Sequence, residues 1–114
     1  NNIDKSIIYN NNIYFYSNML WCSYIDINNR YKSNIFKVKS NSLNIYFENT
    51  GEEKVEATLY KTHFIGKDDF IKRFYILPGE KLTKHYDVSS GKYYLNLDTQ
   101  GSVIKGYLKI TEAK

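Results

Sequence analysis

Residues able to perform covalent chemistry are scarce in this sequence, and their positions do not assemble a catalytic group. Cys22 is the only cysteine, and His63 and His85 are the only histidines. A nucleophilic thiol needs a neighbouring base and a setting, such as a flanking cation, that lowers its pKa. Cys22 lies instead in an apolar, strand-like stretch. We therefore predict a structural or half-buried thiol, no catalytic residues and no enzyme activity; a small hydrolase using Cys22 is the least favoured alternative.

Metal and cofactor sites are not expected either. Zinc needs a full set of converging ligands, whereas the chain offers one thiol and two imidazoles that are distant in sequence. The acidic pairs Glu52-Glu53 and Asp68-Asp69 lack the alternating carboxylates of a calcium loop. We predict that both pairs are solvated turn residues. No glycine-rich loop that could cradle a phosphate occurs, so no metal and no cofactor are predicted.

Aromatic residues near the start of the chain are the strongest indication of a binding site. Tyr14, Tyr16 and Tyr24 alternate away from the apolar positions, and Trp21 lies between them. Exposed Tyr and Trp rings on a rigid sheet suit stacking on sugar faces or anchoring a protein partner. These four residues form the candidate ligand-binding site. In the competing interpretation Trp21 belongs to the core.

The charge balance argues against nucleic acid as a partner. Sixteen Lys and Arg face twelve Asp and Glu, and the net charge of +4 is spread along the chain. Lys37 and Lys39 alternate outward on one predicted strand, as do Lys105 and Lys109 on another. Outward lysines also keep strands soluble and block pairing at sheet edges, and we favour that role. No apolar run is long enough to predict a membrane-spanning helix.

Composition and termini indicate the setting. Asn, Ile, Lys and Tyr together supply 52 of 114 residues, and all four have A/T-rich codons, which favours a low-GC bacterium. One cysteine permits no intramolecular disulfide, and the chain opens on Asn1 rather than Met. A mature exported chain has these features, and so does a trimmed one. We expect a secreted or cell-surface location.

The elements that position these residues are predicted to be strands. Apolar side chains alternate with polar ones through most of the chain, which is typical of strands with one buried face. The clearest runs are 43–47, 55–60, 93–97 and 104–110. Between them lie turn residues such as Pro78-Gly79, which suit a type II turn, and Thr99 to Ser102, which we expect to separate the last two strands.

This spacing predicts an all-β fold: an antiparallel two-sheet sandwich of seven to nine strands with little helix. Residues 1–12 are predicted to be a weakly structured N-terminal arm, and residues 13–114 a single sandwich domain. Within the domain, residues 13–27 are expected to form one long bent strand or two strands with a break near Ser17 and Asn18.

Residues 34–110 resemble the immunoglobulin-like or jelly-roll β-sandwich modules common in bacterial exported proteins. The matching stretches are Phe36-x-Val38, Leu43 to Gly51, Val55-x-Ala-x-Leu59, Pro78-Gly79-Glu80, Ser90 to Leu95 and Gly101 to Ile110. In such modules a Ser-Gly-x-Tyr-x-Leu stretch enters a late strand. The resemblance therefore implies a tyrosine corner at Tyr93 or Tyr94, with a buried ring and a hydroxyl bonded to the backbone. It implies no activity.

Together these features predict a non-enzymatic exported or cell-surface binding module with a glycan or protein partner. The alternative is a structural or assembly subunit of a surface layer, spore coat or larger secreted complex, in which the N-terminal segment pairs with a neighbouring chain. A monomer with an aromatic patch would favour the first interpretation. Self-association or a long unpaired sheet edge would favour the second.

Overall fold

The structure, a computed structural model, describes residues 6–9, 12–15 and 19–113, with side chains from residue 19 onward. β1 (Ser6–Tyr9) and β2 (Asn12–Phe15) pair in antiparallel register as a two-stranded sheet. Much of the predicted arm lies outside the described residues, as do Tyr16 and the side chain of Tyr14. The arm and the domain boundary after residue 12 therefore stay predictions.

Seven further strands form one antiparallel sheet. They are β3 (Met19–Lys32), β4 (Phe36–Val38), β5 (Ser42–Asn49), β6 (Val55–Lys61), β7 (Asp69–Ile76), β8 (Lys81–Asp87) and β9 (Gly91–Glu112). The part of the chain that the structure describes contains no helix. The predicted all-β antiparallel fold is confirmed, because alternating apolar residues place every second side chain on one face of each strand.

Two long strands join the halves of this sheet. The first half of β9 pairs with β6 and its second half with β5, while β3 runs beside both halves. The strand order is β7-β6-β9-β5-β8, with β3 and β4 also bonded to β9. Because β3 and β9 cross from one half to the other unbroken, the result is a single, strongly curled half-barrel sheet. The predicted separation into two distinct sheets is not clearly present.

A bulge lies where β9 bends. Asn28 pairs with Val103 and Arg30 with Asp98, so residues 99–102 of β9 lie opposite the single residue Asn29 of β3. Gln100, Gly101 and Asn29 have positive φ angles of 60°, 112° and 73°. Residues 99–102 were expected to separate two strands, but here they bend one strand that continues in the same direction. Bulges have this effect, because the unpaired residues increase local twist.

The bulge also changes which positions of β9 face inward. Before the bulge the β9 residues that belong to the core have odd numbers (Tyr93, Leu95 and Leu97), and after it they have even numbers (Ile104, Leu108 and Ile110). All of them join one hydrophobic core inside the curl. The other strands contribute Ile25, Phe36, Val38, Leu43, Ile45, Phe47, Val55, Ala57, Leu59, Phe74 and Ile76. The two predicted alternating runs are therefore confirmed, although they belong to one strand.

Two local predictions can be checked directly. Tyr93 is 1% exposed and its hydroxyl donates to the carbonyl of Ser89, so the expected tyrosine corner is found at Tyr93. The predicted type II turn is also confirmed. The Glu80 N–H donates to the Leu77 carbonyl over 3.0 Å, and Gly79 supplies the positive φ of 81° that this turn requires.

Two buried polar side chains hold the loops at the ends of the sheet. The Asn49 amide donates to the Ile76 carbonyl over 3.0 Å, which ties β5 to the end of β7. The Glu112 carboxylate accepts from the backbone N–H groups of Lys39 and Ser40 over 2.7 and 2.9 Å. These bonds satisfy polar groups that would otherwise be costly to bury.

Candidate functional site

The outer surface of the curled sheet carries two rows of aromatic rings. Inward positions of the strands are filled by the core, so the tyrosines at alternating positions point outward. Each row crosses neighbouring strands, where rings on directly opposed or diagonally neighbouring residues come into contact. One row lies on each side of the β9 bulge. Tyr24 of one row and Tyr94 of the other differ most in how far their rings are covered.

The first row, here called the Tyr107 row, consists of Tyr24 of β3, Tyr107 of β9 and Tyr46 of β5. Tyr24 lies directly opposite Tyr107 in the β3–β9 register, and their ring centroids are 4.7 Å apart with the planes tilted by 39°. Tyr46 meets Tyr107 edge-on at 6.3 Å, and the ammonium of Lys109 lies 5.7 Å from the Tyr46 ring centroid. Tyr24 is 86% exposed.

A shallow depression adjoins this row. It has a volume of about 400 Å³, and its lining includes Tyr24, Tyr107, Asp26, Glu48 and Lys105. Carboxylates and an ammonium group beside exposed ring faces offer both hydrogen bonds and stacking surfaces. That combination is suited to orienting a polar ligand over an aromatic platform.

Trp21 is on the opposite face of β3 from Tyr24. It is half-buried, packs against the core, and its indole N–H donates to the Tyr31 hydroxyl over 2.7 Å. Tyr31 is at the other end of the same strand, so this bond joins the two ends of the bent β3. The structure thus places Trp21 apart from Tyr24, against the core, and its part in a ligand-binding site stays a prediction. Tyr14 and Tyr16, with no side chain described, stay predictions.

The second row, here called the Tyr60 row, consists of Tyr94 of β9, Tyr60 of β6 and Phe70 of β7. Tyr60 and Tyr94 stack with centroids 5.3 Å apart and planes 23° from parallel, and Phe70 meets Tyr60 edge-on at 6.4 Å. Cations lie at both ends. The Lys32 ammonium is 4.3 Å from the Tyr94 ring centroid, and the Arg73 guanidinium is 5.1 Å from that of Phe70.

Tyr94 is covered far more completely than Tyr24. It is 8% exposed, and its hydroxyl donates to Asp68 Oδ2 over 2.6 Å. Burial, together with the hydrogen bond to the Asp68 carboxylate and its negative charge, raises the pKa of Tyr94 to about 12. Nearby charges are also paired, since Arg30 lies 3.4 Å from Asp98. Tyr94 is therefore a structural part of the sheet, while Phe70 at the other end of the row is 54% exposed.

The remaining candidates for chemistry do not form a group. Cys22 is exposed, which corrects the prediction of a half-buried thiol. The reason is the alternation of β3, which places Cys22 on the same outer face as Tyr24. His63 Nε2 lies 2.7 Å from Asp69, and His85 Nδ1 lies 2.7 Å from the Asn44 side-chain oxygen. Among residues 19–113, no three potential metal ligands come together.

The acidic pairs differ from one another. Glu52 and Glu53 are exposed in the β5–β6 turn, as predicted. Asp68 and Asp69 are also exposed overall, but each carboxylate is bonded, to Tyr94 and to His63 respectively. The sequence contains no local signal for these bonds, because the partners come from another strand or from the far side of the same loop.

Sequence reasoning identified Tyr24 but missed Tyr46 and Tyr107, which complete its row. A signal for both was present: each alternates with buried neighbours on its strand. What the sequence lacked was the pairing of β9 with β3 and β5.

Comparison with known proteins assigns no family to this arrangement. No protein-family model matches the chain, and no curated protein sequence matches it. In the described residues there is also no helix that could span a membrane.

Proposed function

We propose that this protein is a non-enzymatic binding module of an exported or cell-surface protein, and that the Tyr107 row takes a carbohydrate. The observation that carries the proposal is Tyr24, a large ring that stays 86% exposed while resting on Tyr107. A ring in this position adds little to the core. It presents a preorganised flat face, which is the surface that sugar rings stack on.

Polar groups beside the rings support a glycan. Asp26, Glu48 and Lys105 line the depression next to Tyr24, and each can bond a sugar hydroxyl. A protein partner would use the same exposed rings as anchors and is the second outcome of the binding experiment.

The binding experiment compares two exposed tyrosines. Tyr24→Ala should weaken binding to a ligand found in an oligosaccharide panel by about tenfold or more. Tyr75→Ala is the matched control, because Tyr75 is 47% exposed on β7 and lies outside the Tyr107 row. Chemical-shift titration of the wild type and both variants measures the affinities. Equal affinities for all three proteins would remove the Tyr107 row as the site.

An assembly subunit is the second candidate, and one observation favours it. Within residues 19–113, the 14-residue strand β3 is paired along its length with β9 alone. A long strand with a free edge can accept a strand from another chain. Light scattering after size exclusion at two well-separated concentrations distinguishes the candidates, since an assembly subunit should grow in mass with concentration and a binding module should not.

At the level of fold, we infer that the curled sheet belongs with the immunoglobulin-like and jelly-roll modules of exported proteins. The tyrosine corner at Tyr93 and the Pro78-Gly79 turn support this inference. The continuous strands β3 and β9 would then correspond to strands that pass between two sheets through bends.

A further inference from the structure

The loop between β6 and β7 carries two of the three most exposed large apolar side chains of residues 19–113. Phe64 is fully exposed, at 102%, and the adjacent Ile65 is 83% exposed. These two residues are here called the β6–β7 tip. Ile35, 57% exposed, lines the same depression as Phe64. Neighbouring exposed apolar groups contribute nothing to the core and mark a surface that contacts something else.

The tip projects because the base of its loop is held in place. His63 Nε2 lies 2.7 Å from Asp69 Oδ2, which closes the loop across its two ends. The Tyr94 hydroxyl donates to Asp68 over 2.6 Å, and the backbone N–H of Thr62 donates to a carbonyl of β9 over 2.8 Å. With its base bonded to β9 and across itself, the loop presents its apolar residues to solvent instead of folding them onto the sheet.

Positive charge surrounds the tip. Lys32 and Lys92 line the depression that Phe64 borders, which has a volume of about 560 Å³, and Lys67 is in the loop itself. Lys37 lies directly opposite Lys92 in the β4–β9 register. Like charges at opposed sheet positions are unfavourable in the isolated protein. A negatively charged surface would relieve that repulsion. The loop carboxylates of Asp68 and Asp69 keep their charge when hydrogen-bonded, but the four lysines outnumber them, so the region keeps a net positive charge.

We propose that the β6–β7 tip docks the protein on an anionic phospholipid bilayer. Phe64 and Ile65 would enter the boundary between headgroups and acyl chains, and the surrounding lysines would contact lipid phosphates and carboxylates. A bilayer fits better than a protein because the apolar area is a small projecting tip, not a broad patch of the size that protein interfaces need. The site is distinct from the Tyr107 row and does not depend on the proposed function.

The first experiment is cosedimentation of the full chain with vesicles of phosphatidylcholine alone or mixed with phosphatidylserine. The wild type should bind the mixed vesicles, and added salt should weaken binding. Phe64→Ser with Ile65→Ser should reduce affinity by about a hundredfold. The matched control, Leu77→Ser with Val103→Ser, also removes two exposed apolar side chains but lies at the other end of β6, and it should bind as the wild type does.

Charge is tested separately. Lys67→Glu should weaken binding to the mixed vesicles by about tenfold, since it reverses one charge beside the tip. Lys54→Glu makes the same change in the β5–β6 turn at the far end of β6 and should have no effect. As a direct measure of insertion, Phe64→Trp should give a blue-shifted emission component, absent from the wild type, when mixed vesicles are added.

Two results would overturn the proposal. One is a wild type that does not bind the vesicles containing phosphatidylserine even at low salt. In that case a protein that binds the tip becomes the better hypothesis. The other is binding that survives unchanged in the Phe64→Ser, Ile65→Ser variant while its circular dichroism matches the wild type. In that case any lipid affinity comes from charge elsewhere on the surface.

Discussion

The Tyr107 row and the Tyr60 row are both built from aromatic residues on the outer surface of one sheet, yet the rings of Tyr24 and Tyr94 are covered very differently. Tyr24 is 86% exposed, whereas Tyr94 is 8% exposed. Both rings lie against a tyrosine of the neighbouring strand, at 4.7 Å in the first row and 5.3 Å in the second. Ring pairing across strands therefore does not determine burial.

The difference comes from what lies over the rings. The β6–β7 loop brings Asp68 to the Tyr94 hydroxyl, and Lys32 extends over the ring. Tyr24 keeps most of its surface in water. A ring covered by a loop, a carboxylate and a cation stabilises the sheet, while a ring left in water is available to a ligand. Under the proposed function, a tyrosine thus serves the fold in one half of the sheet and a partner in the other.

The largest expected effect is loss of the buried ring. Tyr94→Ala removes a side chain that is 8% exposed and leaves Asp68 without its phenol partner. We expect the free energy of unfolding to fall by about 3 kcal/mol, as for other buried aromatic truncations. Urea denaturation followed by circular dichroism measures it.

Tyr94→Phe separates the two contributions to that loss. It keeps the ring and removes only the hydrogen bond to Asp68, so it should cost about 1 kcal/mol. Equal losses for the two substitutions would mean that the hydroxyl, not the covered ring, is responsible. The burial of the Tyr94 ring would then contribute nothing to the free energy of unfolding.

The second prediction concerns alkaline pH. The pKa of Tyr94 is about 12 in the folded protein against 10.0 for a free tyrosine, because the covered site favours the neutral phenol. This stabilisation is complete below pH 10 and is lost as the pH rises toward 12, where the unfolded chain ionises first. Stability should fall by about 2 to 3 kcal/mol over that range on account of Tyr94.

Other groups titrate in the same range, so the comparison with Tyr94→Phe isolates this contribution. Burial also raises the pKa of Tyr86, and that effect is common to both proteins. Below pH 10 the wild type should be the more stable protein by about 1 kcal/mol. Because the expected loss between pH 10 and 12 is larger than that advantage, the stability difference should fall and change sign, leaving Tyr94→Phe the more stable protein near pH 12. A difference that is constant with pH would show that the Tyr94 site does not favour the neutral phenol.

Much of the fold could be predicted because apolar residues at every second position of a strand directly indicate its buried face. The buried residues of β5, Leu43, Ile45 and Phe47, alternate as expected. What could not be predicted is how β9 passes its bend. Gln100 and Gly101 adopt positive φ angles that serve a hairpin turn or a bulge equally well. Only the pairing of β3 with both halves of β9 distinguishes the two, and that pairing is not a local property.

Prediction of the candidate site from the sequence met the same limit, because it also needed the pairing of distant strands. Trp21 and Tyr24 are three positions apart on one strand, so alternation already places them on opposite faces, and the sequence could have separated them. Joining Tyr24 to Tyr107 and Tyr46 needs the order of β3, β9 and β5 in the sheet. Exposure of Phe64 could be predicted from its place in a loop that contains Gly66. The bond from the Tyr94 hydroxyl to Asp68, which holds the base of that loop, comes from a distant strand.

The smallest expected effect is on the stability of the exposed row. Tyr24→Ala removes one cross-strand ring contact and buries no polar group, so the free energy of unfolding should change by less than about 1 kcal/mol. Urea denaturation beside Tyr94→Ala gives the direct contrast between the rows. The pKa of Tyr94, followed through the NMR signals of its own ring during alkaline titration, should be unchanged, because Tyr24 lies on the other half of the sheet.

This small effect is the most informative of the three about function. If Tyr24→Ala destabilised the protein as much as Tyr94→Ala, the exposed ring would be needed to hold β3 on β9, and its exposure would no longer indicate a ligand. A Tyr24→Ala variant that is as stable as the wild type but binds no ligand would separate folding from binding. The Tyr107 row would then be present for its partner and not for the sheet.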